Sequence, residues 1–203
     1  MEVETAVVVP LHDYGKYLNV CCELINEEWP RSTSARIHSL KSSCDNLPTS
    51  LILILYDADG EIVIGHSKIS PLHKMPNGCF VECVVVAKKF RGKGWGRYIM
   101  LETEKYAKSK GKAVIYLSTS DKREFYEKLG YSVCEPVSIY GGRSVLQTNN
   151  NFISSILSPD LFKSTRSSVP TSTPLPPAPP APPPPKSNFS TSSKKVYMRK
   201  VLT

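Results

Sequence analysis

Apolar and polar positions divide most of the chain into short elements. Ala6 to Val9 is a brief apolar run and reads as a strand. From Tyr14 to Glu28, apolar residues recur at Tyr17, Leu18, Cys21, Leu24 and Ile25, the spacing of one helix face. Trp29-Pro30-Arg31 breaks that helix, and Ser34 can cap a second, short one running to about Leu40. Leu51 to Tyr56 and Glu61 to Ile69 read as strands joined at Asp59-Gly60, a strong hairpin signal. Gly78 to Ala87 is the next strand. A helix begins among the glycines at 92, 94 and 96 and runs to about Lys110, where Gly111 ends it. Ala113 to Ser118 is a further strand. Asp121 can cap a short helix holding Phe125 and Tyr126, Gly130 ends it, and Tyr131 to Val133 opens another strand. Lys195 to Leu202 alternates as a last strand. The order β-α-α-β-β-β-α-β-α-β-β predicts a mixed α/β sheet flanked by helices.

Residues 149–194 fit no such element. Asn149-Asn150-Asn151 opens the segment, and Ser and Thr dominate from Ser164 to Thr173. Most of the 17 prolines lie between Pro170 and Pro185. The run Pro174 to Pro185 cannot form helix or sheet; it favours polyproline II, extended over ~37 Å at ~3.1 Å per residue. The expected organisation is a domain at 1–148, a flexible Ser/Thr/Pro-rich insert at 149–194, and a final strand at 195–203. The insert reads either as a solvated linker or as a ligand for an aromatic-lined groove of the profilin, SH3, WW or EVH1 type. Uninterrupted prolines with Leu and Ala, lacking a well-placed Arg, favour profilin.

A chain of 203 residues suits one domain with a real core plus this insert. The net charge of +8 and pI of about 9.2 fit an acidic partner: nucleic acid, anionic membrane, nucleotide cofactor or acidic protein. No nucleic-acid motif appears, and Leu51 to Tyr56 is far too short to span a bilayer. The acidic start Met-Glu-Val-Glu lacks the regions of a secretory signal, so a cytosolic protein is expected. Cys21, Cys22, Cys44, Cys79, Cys83 and Cys134 form no C-x-x-C pair and no zinc spacing, so reduced thiols and no metal are expected.

The densest chemical signal is Arg91-Gly92-Lys93-Gly94-Trp95-Gly96, directly after Val84-Val85-Val86. A strand runs into a glycine-rich turn within which a helix starts. Such a turn aims several backbone N–H groups at one point, where the helix dipole adds positive charge, and so makes a seat for a phosphate or pyrophosphate. Lys88, Lys89, Arg91, Lys93 and Arg97 surround it. The P-loop pattern is absent, and the spacing G-x-G-x-G departs from the dinucleotide fingerprint.

What the turn matches is R-x-x-G-x-G, as Arg91, Gly94 and Gly96, which resembles the acyl-CoA loop of the GNAT (GCN5-related N-acetyltransferase) superfamily. Phe125-Tyr126-Glu127-Lys128-Leu129-Gly130-Tyr131 resembles the second signature of that superfamily, in the right order. The resemblance covers about residues 1–148 and 195–203, and implies the GNAT fold with a disordered, proline-rich insert before the last strand. It further implies acetyl-CoA as cofactor, with its pyrophosphate on Arg91 to Arg97. The backbone of Val84, Val85 and Val86 would pair with the pantetheine arm; the same residues also read as a core strand. Tyr126 matches the tyrosine that gives a proton or hydrogen bond to the departing sulfur. Thr119 and Ser120 stand where many relatives carry a cofactor-binding asparagine, and Ser118 where one subgroup carries a catalytic histidine.

An α-amine has a pKa of about 8, so a weak base or a water suffices to free it. Glu82, on the strand before the loop, is a candidate base or an ordinary surface carboxylate; His38 is a second candidate. Trp29, Arg31, Arg36, Ile37, His38 and Ser39 fall in the segment that lines the acceptor side in the superfamily. Arginines grip carboxylates in bidentate fashion, so Arg31 and Arg36, with Arg143 after Gly141-Gly142, suggest an acidic acceptor. The stretch Glu27-Glu28-Trp29-Pro30-Arg31 through Leu40, the two signatures and the insert together resemble the branch of N-terminal acetyltransferases that acts on processed actin. That implies acetylation of an Asp-Asp-Asp or Glu-Glu-Glu N-terminus by a monomer, and profilin as the partner of Pro174 to Pro185. The alternatives are a lysine or small-amine acetyltransferase, and a polyproline adaptor on an inactive GNAT scaffold.

Overall fold

The computed structural model describes residues 5–57, 60–139 and 195–203; the expectations for Asp59, for Arg143 and for the insert at 149–194 lie outside the described residues. The strands are β1 (Thr5–Pro10), β2 (Thr49–Asp57), β3 (Gly60–Pro71), β4 (Gly78–Val86), β5 (Val114–Thr119), β6 (Ser132–Cys134) and β7 (Val196–Val201). The α-helices are α1 (Leu18–Glu28), α2 (Thr33–Lys41), α3 (Trp95–Ser109) and α4 (Arg123–Glu127). They follow the predicted order.

The strands form one seven-stranded sheet in the order β1-β2-β3-β4-β5-β7-β6. Every neighbouring pair is antiparallel except β4 and β5, which run parallel. The continuous apolar run of β2 is explained by burial on both faces. Ile52 and Ile54 pack with Cys21, Leu24, Ile25 and Leu40 under α1 and α2. Leu53 and Leu55 pack with Ile64, Val86 and Ile99 of α3 on the other face. On that second face Met100, Val81, Ile115, Leu117, Tyr126, Tyr131 and Met198 continue the core. The chain after the insert therefore supplies an inner strand: β7 lies between β5 and β6, with Met198 fully buried.

Three local expectations are corrected. The first helix begins at Leu18 rather than Tyr14: two 3-10 turns, Leu11–Asp13 and Gly15–Tyr17, precede it, and Tyr14 at φ −126°, ψ 54° is not helical. The cap of α2 is Ser32, whose Oγ accepts from the Ala35 N–H at 3.3 Å, not Ser34, which lies inside the helix. Asp121 does not cap α4. It pairs with Lys122 at 2.6 Å, while the Thr119 hydroxyl accepts from the Lys122 N–H at 3.0 Å and closes the turn.

Candidate active site

The site begins where two strands part. β4 and β5 pair only from Gly78–Val114 to Val81–Leu117. β4 runs on to Val86, held by β3 alone, so its edge facing β5 has no strand partner beyond Val81. In the same stretch β3 and β4 slip register: Lys68 faces Glu82 and His66 faces Val85, so Cys83 and Val84 stand opposite Ser67 alone. This is a β-bulge, and Cys83 sits in it at φ 54°, a left-handed conformation rare for a residue with a side chain.

β4 leads into the glycine turn. Gly92 (φ 79°) and Gly94 (φ 90°) are both left-handed, and an added Cβ at either would meet nothing within 4 Å. Backbone conformation, not crowding, demands glycine there. Gly96 is different: its Cβ would make ordinary contact with the Phe125 ring at 3.5 Å, which places α4 beside the start of α3. No side chain caps α3, and its first turn holds no acidic residue. Its leading N–H groups and its positive dipole end stay available to an anion. Lys93 and Arg97 are exposed beside them, and Trp95 packs edge-on to Tyr98. Arg91 points elsewhere. Its Nε donates to the Val86 carbonyl at 2.8 Å and its Nη2 to Glu28 at 2.8 Å, tying the turn back to β4 and α1. That hydrogen bond is the first cause holding the Glu28 carboxyl below its ordinary range; Lys88 and Lys122 add to it.

Tyr126 lies on α4, buried among core residues of α3, β4 and β5. Its ring makes edge contacts with Phe125 and Tyr131, and its hydroxyl has no hydrogen-bond partner among the described residues. Burial, then the Asp121 charge, push its pKa up to about 12, so it remains a donor at neutral pH. Thr119 is buried and spends its hydroxyl on the α4 turn, whereas Ser120 is exposed.

The opposite sheet face carries the acceptor-side residues. Arg36 is buried at 8% exposure. Its Nε donates to Asn26 at 3.1 Å and its Nη2 to the Trp29 carbonyl at 2.6 Å. Asn26 also donates to the Arg31 carbonyl at 3.1 Å, so the loop after α1 is pinned at both ends. Neither Arg31 nor Arg36 pairs with a carboxylate among the described residues. Ile37 packs into the α1 cluster. His38 is exposed, and two residues along a helix it does not share a face with Arg36. Ser39 accepts from Lys68 at 3.1 Å. Glu82 takes the Ser70 hydroxyl on Oε1 at 2.6 Å, with the Lys68 ammonium 3.8 Å away.

His66, Lys68 and Ser70 are the residues that sequence reasoning passed over. They occupy alternate positions on one face of β3, with His66 and Ser70 buried; the consecutive polar residues His66, Ser67 and Lys68 inside a predicted strand were the available signal. His66 is fully buried. Its Nδ1 lies 3.1 Å from the Cys83 carbonyl, and Nε2 has no partner among the described residues. Burial above all, opposed by that hydrogen bond, pushes its pKa down to about 4, with Lys68 and Arg36 adding repulsion. The Cys83 thiol is pushed up by burial and Glu82, while Arg36, Lys68 and Arg31 pull it down. Three cations thus act on this one thiol.

Comparison with known proteins agrees with this geometry. The chain is 39% identical over 123 residues to mouse (Mus musculus) N-alpha-acetyltransferase 80, a match covering 59% of this chain and 39% of the relative's length. Among solved structures, an aminoglycoside 6'-N-acetyltransferase complexed with coenzyme A superposes with a TM-score of 0.57 at 16% identity, covering 97% of each chain. The yncA protein of Salmonella typhimurium, solved with acetyl-CoA, gives 0.55 at 13% identity, covering 100% of this chain and 95% of its own. The model of the acetyltransferase (GNAT) family matches residues 18–131, more than half the chain, and the protein belongs to that family.

Proposed function

We propose that the protein is an N-alpha-acetyltransferase moving acetyl from acetyl-CoA to the free amino group of an acidic protein N-terminus, processed actin being the substrate. The observation that carries the acidic preference is Arg36: a buried guanidinium whose hydrogen bonds, among the described residues, go to neutral groups only, with the charges of Arg31 and Lys68 acting on the same thiol, Cys83. A buried charge without a counter-ion is costly, and a carboxylate arriving with the substrate offsets that cost. The similarity to mouse N-alpha-acetyltransferase 80 supports the α-amine as acceptor.

Acetyl-CoA supplies the thioester that the amine attacks. The N–H groups of the turn and of the first turn of α3 receive its pyrophosphate, with Lys88, Lys89, Lys93 and Arg97 adding positive charge. The free edge of β4 at Val84–Val86 pairs with its pantetheine arm. Tyr126 donates its proton to the leaving sulfur. Glu82 takes the proton of the amine, directly or through a water, while Ser70 and Lys68 hold its carboxylate in place. Profilin, bound through Pro174 to Pro185, delivers the folded substrate at high local concentration in the cytosol.

The test is acetyl transfer to three peptides: one starting Asp-Asp-Asp, one starting Met-Glu, and one with a blocked N-terminus and an internal lysine. The expected preference is for the first. Arg31→Gln and Arg36→Gln should raise its KM about tenfold, ~1.4 kcal/mol each, with acetyl-CoA binding unchanged. Transfer confined to lysine would overturn the N-terminal reading, and equal loss on the first two peptides would overturn the acidic one.

A further inference from the structure

His66 is a fully buried histidine to which the chemistry above gives no role. It cannot touch the amine or the thioester, because no part of it reaches the surface. What it touches is the bulge. The Cys83 carbonyl can only accept, so the 3.1 Å contact requires the proton on Nδ1, and Nε2 is left with no partner among the described residues. Cys83 holds φ 54°, a conformation that costs about as much as a hydrogen bond contributes and persists only where its surroundings impose it. The position of that bulge decides the function of the strand. It lies just past Val81, where the pairing of β4 with β5 ends, and just before Val84.

We propose that His66 is the positioning residue of the cleft: by donating Nδ1–H to the Cys83 carbonyl it fixes the bulge that presents the backbone of Val84–Val86 to the pantetheine arm. This rests on the acetyl-CoA reading of the cleft. The anchor comes from the neighbouring strand, so β3 sets the shape of an edge it does not itself line. Its partners around the bulge, Lys68 and Glu82, sit on the same face and belong to the acceptor side. The bulge is thus the joint between the two halves of the site.

The two ring nitrogens give a clean test. Asparagine places an amide N–H near the position of Nδ1, and glutamine places one near Nε2. We expect His66→Asn to bind acetyl-CoA within about threefold of the unmodified chain, measured by calorimetry. His66→Gln and His66→Leu should weaken binding about tenfold, the loss of one hydrogen bond and the register it holds. The KM for an acidic peptide should move less than the acetyl-CoA affinity. Adding Cys83→Gly to His66→Leu should recover affinity, because glycine adopts φ 54° without strain. A purely structural role would instead lower Tm in all three variants, shift both substrates alike and show no rescue by glycine. Equal binding by Asn, Gln and Leu variants would overturn the proposal. Should the unmodified chain bind no acetyl-CoA, the reading of the cleft would fail first, and a bound unmodified chain separates the two failures. If His66→Leu does not fold, the Asn and Gln variants, both polar and near the size of histidine, still decide between the nitrogens.

Discussion

Tyr126 keeps its proton far beyond the range in which an α-amine becomes free. With its pKa at about 12, alkaline pH leaves the phenol protonated, so under the proposed chemistry kcat should rise with pH as the amine loses its proton and should not fall again below about pH 10. Tyr126→Phe keeps the ring contacts with Phe125 and Tyr131 and removes a hydroxyl that has no hydrogen-bond partner among the described residues. We expect kcat to fall ~100-fold with Tm nearly unchanged and acetyl-CoA affinity within a factor of a few. A steady-state pH profile beside a melting curve checks this, and a large drop in Tm would mean the hydroxyl supports packing instead. The place of this residue on a short helix was legible because its motif is local. His66 was not, because its meaning depends on a carbonyl 17 residues away that only strand pairing brings near.

At the scale of elements, the glycine turn couples a strand end to a helix start. Gly94→Ala forces a Cβ onto a residue at φ 90°, and Gly111→Ala does the same at φ 73° just past the C-terminus of α3. Both should cost about 1–2 kcal/mol of stability, since neither Cβ meets a neighbour and the strain is purely conformational. Of the two, only Gly94 lies in the turn proposed to hold the pyrophosphate. Thermal melts should therefore shift alike, while the KM for acetyl-CoA rises about tenfold in Gly94→Ala and stays put in Gly111→Ala. A rise in both would deny the turn its special place. The same element explains why Arg91, though part of the motif, faces away: its guanidinium spans Val86 and Glu28 and braces the turn from behind.

Across the whole molecule, the chain after the insert completes the sheet. β7 pairs on both sides, with β5 and β6, and Lys200 reaches the buried Glu104 of α3 at 2.6 Å. Cys134 pairs directly with Tyr197, so a short loop can join the strands. Replacing residues 149–194 by about six Gly/Ser residues should preserve Tm to within a few degrees, because loop-closure entropy grows only slowly with length. Acetylation of a free peptide should survive within about threefold. Profilin binding and the rate on folded actin should drop, and retention of both would remove the role given to Pro174 to Pro185. Melting, peptide kinetics and a pull-down with purified profilin read the three outcomes.

The element order, the mixed α/β class, the glycine turn and Tyr126 were determined by local sequence, because periodicity, turn chemistry and short motifs act over a few residues. Helix starts were less well determined: Tyr14 and Ser34 satisfied the pattern of apolar and capping residues, yet the helices begin at Leu18 and Thr33. Tertiary structure alone decided the rest. The parting of β4 from β5, the bulge at Cys83 and the burial of Arg36 without a carboxylate partner among the described residues are products of pairing between distant strands and helices. A sequence pattern can place a charge on an element, but only packing decides whether that charge meets water, a counter-ion or a site waiting for one.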